Sequence, residues 1–84
     1  MKEFIEYKNY VEDYIKKRSD ILERTKSSEF FPMRRRKQLI ETEMYIHLST
    51  ILNQFNEYYS FSHSDYCELK LFAKDSVMIF VYCD

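Results

Sequence analysis

Not one of the 84 residues is glycine, and Pro32 is the single proline. Glycine takes a left-handed backbone without steric penalty. Without it, every turn and cap must be built from Asn, Asp, Ser or Pro. At this length the chain, residues 1–84, makes one domain. A domain so small buries only about 60–65% of its unfolded surface, and dimerisation is the commonest addition to its stability.

From Lys2 to about Lys26, apolar residues recur at three- and four-residue spacing: Phe4, Tyr7, Val11, Tyr14, Ile15, Ile21 and Leu22. Glu3, Glu6, Glu12 and Asp13 take the other side, and acids early with cations late suit the helix macrodipole. The spacing predicts one amphipathic helix. Residues 27–32 read as a connection, in which Phe30 and Phe31 are too apolar for an exposed loop and fold back on the core. Pro32 reads as a first-turn residue. A second helix runs from Met33 to about Tyr59, with Ile40, Met44, Leu48, Ile51, Leu52, Phe55 and Tyr59 as its stripe. Its length of about 40 Å is long for the domain, which suggests that part of it projects or pairs with another chain. Ser60 to Asp65 is a polar break.

The remainder, 66–83, alternates. Cys67, Leu69, Leu71 and Ala73 interleave with Tyr66, Glu68, Lys70 and Phe72. Val77, Ile79, Val81 and Cys83 interleave with Met78, Phe80 and Tyr82. Strict alternation predicts two half-buried strands. For both apolar sets to share a face, a three-residue loop, Lys74 to Ser76, must pair Leu71 with Ile79, Leu69 with Val81, and Cys67 with Cys83. That loop needs a left-handed residue with no glycine to supply it. The expected fold class is therefore α+β: two amphipathic helices, then a C-terminal antiparallel β-hairpin, in the order ααββ. The hairpin's free edges would let a second copy extend it into a larger sheet.

Composition sets the functional class. Hydrophobic residues at 45% and charged residues at 32% describe a folded soluble domain. A net charge of −1 argues against a dedicated nucleic-acid binder, which is normally basic overall. No run reaches the roughly 18 apolar residues of a membrane span. The N-terminus carries acids early and does not read as a secretory signal. The expectation is a cytoplasmic protein without a membrane partner. Plentiful Lys, Ile, Tyr and Phe beside a single alanine, Ala73, match the usage of an AT-rich genome, as many phages and viruses have.

No catalytic signature stands out, so no enzymatic activity and no cofactor are expected. Cys67 and Cys83, with His63 four residues before Cys67, suggest a metal pair or a disulfide. The tight C-x₂-C spacing of metal sites is missing, and a cytosolic setting favours two buried thiols. The expected metal set is none. His47 lies beside the apolar stripe and His63 beside Asp65, but no nucleophile accompanies either.

Two features are left for binding. The first is the basic run Arg34, Arg35, Arg36 and Lys37. Successive helical residues turn by about 100°, so these four point all round the helix. Cations at a helix start also oppose the macrodipole, at about 0.3–1 kcal/mol each. Acids of a partner or phosphates would offset that cost. The second is the hairpin's other face, where Tyr66, Phe72, Phe80 and Tyr82 supply aromatic anchors. The favoured reading is a small protein-binding regulator or inhibitor that occludes or bridges an acidic macromolecular partner. A nucleic-acid-binding module using the start of the second helix comes next, and a structural homodimer or assembly subunit third.

Overall fold

The computed structural model describes residues 2–19 and 32–83. Three helices account for them: α1 (Lys2–Lys17), α2 (Met33–Tyr59) and α3 (His63–Tyr82). The fold is all-α, with no strand among the described residues. This overturns the expected α+β class and the ααββ order. The first helix was expected to reach about Lys26. Its described part closes at Lys17, where the Arg18 amide donates to the carbonyls of Tyr14 (3.2 Å) and Ile15 (3.0 Å). The expected connection 27–32, with Phe30 and Phe31, and the stripe residues Ile21 and Leu22 lie outside the described residues, except for Pro32.

α2 begins and ends where its sequence indicates. Pro32 stands at the N-cap and not inside the first turn (φ −56°, ψ 141°). Its carbonyl accepts from the amides of Arg35 (3.1 Å) and Arg36 (3.2 Å). The C-cap is Ser60, left-handed at φ 55° in a chain that has no glycine for the position. Two bonds hold it there. Its amide donates to the Asn56 carbonyl at 2.8 Å, and the Asn56 side-chain oxygen accepts from the Phe61 amide at 3.0 Å. With 27 residues, α2 spans about 40 Å and sets the long dimension of 44 Å.

The polar break is shorter than expected, because His63 already opens α3. Ser62 is its N-cap: the hydroxyl accepts from the Asp65 amide at 3.1 Å, and Asp65 lies in the first turn, where a carboxylate suits the macrodipole. The expected hairpin is one continuous helix. Leu69, Ala73, Val77 and Val81 are buried at a spacing of four. Leu71 and Ile79, the members that alternation would have buried with them, are 57% and 61% exposed. Every second member of a period-two pattern is also a period-four row, and that row is a helix face. A helix satisfies its own backbone hydrogen bonds and passes through Lys74–Ser76 without a left-handed residue. A lone hairpin would have needed that residue and left two edges open. The β-branched residues of this segment favour strands only weakly against those terms.

α3 packs against both other helices. Tyr7 and Val11 of α1, Met44, Leu48 and Leu52 of α2, and the α3 row form one buried cluster. Each fully buried aliphatic side chain contributes about 1.5–3 kcal/mol. Ala73 is the chain's only alanine and sits within the row. Tyr7 is the one cluster member with a polar end, and its hydroxyl donates to the Leu48 carbonyl at 3.0 Å. Burial pushes its pKa well above the ordinary tyrosine value.

Along the α1–α2 seam runs a ladder of rings and charges. Tyr10 meets His47 Nε2 at 2.8 Å, Tyr14 stacks on the His47 ring at 4.4 Å, and Arg18 bonds the Tyr14 hydroxyl at 3.2 Å. Arg18 then pairs with Glu43 at 2.7 Å. Stacking and the hydroxyl contact fix His47 as part of the helix interface.

Candidate partner-binding surface

The helical fold redistributes the residues expected to bind. Tyr66, Phe72 and Phe80 do not form an exposed aromatic face, since all three are half-buried against the core. The Tyr66 hydroxyl donates to Asn53 Oδ1 at 2.6 Å, and the Lys8 ammonium lies 5.0 Å from the Phe72 ring centre. Phe80 lines a hollow of 390 Å³ between α1 and α3, with Ile15 and Ile79. The shared face proposed for them belonged to the hairpin and goes with it.

Tyr82 behaves differently. It ends α3 beside the beginning of α2, where its hydroxyl donates to Glu41 Oε2 at 2.6 Å and the Lys37 ammonium lies 5.9 Å from its ring centre. The Glu41 carboxylate, as hydrogen-bond acceptor, is the first cause that raises the Tyr82 pKa, while the charge of Arg34 acts against the rise. Arg34, Lys37 and Tyr82, expected from two separate sequence features, therefore meet at one end of the α2–α3 interface. Arg36 is half-buried, whereas Arg35 is exposed. Helical spacing puts Arg35 in a row with Leu39, Thr42 and Ile46.

From that end a groove runs along the outer side of α2 and α3. Two adjoining hollows of 240 and 250 Å³ share Tyr45 and Lys74. Glu41 and Thr42 complete one, and Cys67, Lys70 and Leu71 complete the other. Leu39 and Ile46 are 56% and 59% exposed on α2, and helical spacing puts Thr42 of the lining between them. On α3, Leu71 of the lining is exposed, and Met78, seven residues on, is exposed as well.

The charge along the groove is mostly positive. Lys70 and Lys74 line it, and Lys37 and Arg34 stand at its Tyr82 end. Glu41 is the carboxylate in the lining, and it is already occupied by the Tyr82 hydroxyl. Glu68 and Asp75 are exposed on α3, but about 100° or more round the helix from the two lysines.

The sequence expectation missed Tyr45, Lys70, Leu71 and Lys74. The strand pattern set Lys70 and Leu71 on opposite faces and Lys74 in a loop. The signal was present in the i, i+4 spacing of Lys70 and Lys74 and in Ser62-x-x-Asp65, which is a helix-start pattern.

The cysteines also move apart. Cys67 and Cys83 are both exposed free thiols, not buried ones, and 16 helical positions separate them by about 24 Å along α3. A disulfide within the chain is out of reach at that distance. Among the described residues, no helix is long and apolar enough to cross a membrane. No family model matches this chain, no curated protein is detectably similar to it, and no solved structure matches its fold.

Proposed function

We propose that this chain is a small protein-binding module that receives an amphipathic helix of an acidic partner in the α2–α3 groove. It acts by occluding or bridging that partner in the cytoplasm, with no catalysis of its own. The observation that supports this is the groove itself. The exposed apolar residues in and beside it, Leu71 and Met78 on α3 and Leu39 and Ile46 on α2, suit the i, i+3, i+4 and i+7 anchors of a docked helix. Lys70, Lys74, Lys37 and Arg34 supply steering for carboxylates on either side of those anchors. Tyr82 and Tyr45 give amphipathic ring surface, of the kind enriched in interfaces.

A photo-crosslinking residue at position 71, compared with one at position 5, tests this. Ile5 is exposed near the acidic start of α1, where Glu3 and Glu6 lie. The expected product is one protein attached from position 71 and not from position 5, through a helix flanked by Asp and Glu. It should be lost in Lys70→Glu/Lys74→Glu. Attachment from position 5 alone, or capture of nucleic acid that disappears with nuclease and moderate salt, would overturn the proposal.

A further inference from the structure

The first two turns of α3 hold a second feature, which the groove does not require. His63 and Cys67 are four residues apart and both exposed, and the His63 Nε2 atom lies 3.6 Å from the Cys67 sulfur. Residues at i and i+4 stack on one face of a helix, with side chains leaning towards its N-terminus, so the later thiol reaches back to the earlier ring. Tetrahedral zinc takes thiolate at about 2.3 Å and imidazole at about 2.0–2.1 Å, which sets the two donor atoms about 3.5 Å apart. The observed separation already has that value, so a metal ion would bind without moving the backbone.

We propose that His63 and Cys67 form an open two-ligand clip for a thiophilic metal ion of the zinc, cadmium or copper(I) class. Soft thiolate and borderline imidazole together select these ions over magnesium or calcium. Binding makes a metal–sulfur bond and a metal–nitrogen bond and releases the thiol proton to solvent. Among the described residues, no group of three His, Cys, Asp or Glu side chains could hold a metal. Two coordination positions are therefore left for water or small ligands. Lys70 and Lys74 follow Cys67 along α3, while His63 precedes it. The ion closes a ring across the start of α3, so occupancy stabilises that helix.

The test is a cadmium titration of the reduced protein in chelator-free buffer, followed by the ultraviolet thiolate-to-cadmium charge-transfer band. The Cys83→Ser variant serves as the parent, because it removes the other exposed thiol. The parent should show the band, and its thermal midpoint should rise with cadmium. His63→Gln in that background should weaken cadmium at least tenfold and abolish the rise, and Cys67→Ser should remove the band. Both positions are exposed, so the variants fold. Equal affinity in the parent and in the His63→Gln variant would show a thiol acting alone and overturn the clip, as would the lack of any band in the parent.

Discussion

The two faces of α3 are made of nearly the same material. One carries Leu69, Ala73, Val77 and Val81, and the other carries Leu71, Met78, Ile79 and Tyr82. The first row is closed over by α1 and α2, and the second stays in contact with solvent. Hydrophobicity alone therefore does not decide what a residue in this helix does. The difference lies in angular position and in what stands opposite. The inner row meets Tyr7, Val11, Met44, Leu48 and Leu52, while Leu71 lines a groove beside Lys70 and Lys74, and Ile79 borders the hollow between α1 and α3.

The widest gap between the faces should appear on truncation. Leu69→Ala removes a fully buried side chain and should cost about 2–5 kcal/mol in urea unfolding. Leu71→Ala, two residues on, should stay within about 0.5 kcal/mol. Equal losses would erase the distinction. Enlarging the inner face should come next: Ala73→Leu forces a branched side chain into the buried row and should cost about 1–3 kcal/mol, read by the same unfolding.

The pH dependence sharpens the account of the inner cluster. Tyr7 holds its proton more tightly folded than unfolded, because burial disfavours the phenolate. Above the unfolded tyrosine pKa of about 10, the unfolded chain binds fewer protons than the native one, so stability falls as pH rises. The expected slope from this group approaches about 1.4 kcal/mol per pH unit. It is absent below that range and should be missing from Tyr7→Phe, which loses about 1 kcal/mol at neutral pH with the bond to Leu48. The smallest effect belongs to the helix start. Ser62→Ala should cost about 1 kcal/mol by removing the cap on the Asp65 amide, and the loss should show as lower helicity of α3 by circular dichroism.

The same comparison explains what the sequence disclosed. The α1 stripe Phe4, Tyr7, Val11 and the bounds of α2 were legible, because their apolar residues mix three- with four-residue steps, and a three-residue step changes face in a strand. α3 was not, because its apolar residues at every second position fit a strand and contain a helical row as a subset. Its β-branched side chains strengthen the strand reading, and the helix-start signal against it, Ser62 three residues before Asp65, lies in a stretch that reads as a polar break. The candidate surface followed suit. Arg34 and Lys37 come from the basic run and Tyr82 from the other face of the expected hairpin, and the fold brings the three together. Lys70, Leu71, Lys74 and Tyr45 needed helical geometry before they could be seen as neighbours.

The most direct measurement is on Leu71→Asp, scored at once for its urea midpoint and for retention of the partner crosslinked from position 71. A midpoint close to that of the parent together with loss of the partner is the result predicted by the proposal that Leu71 serves binding and not folding. An unfolded protein, or a folded one that still holds its partner, would contradict it.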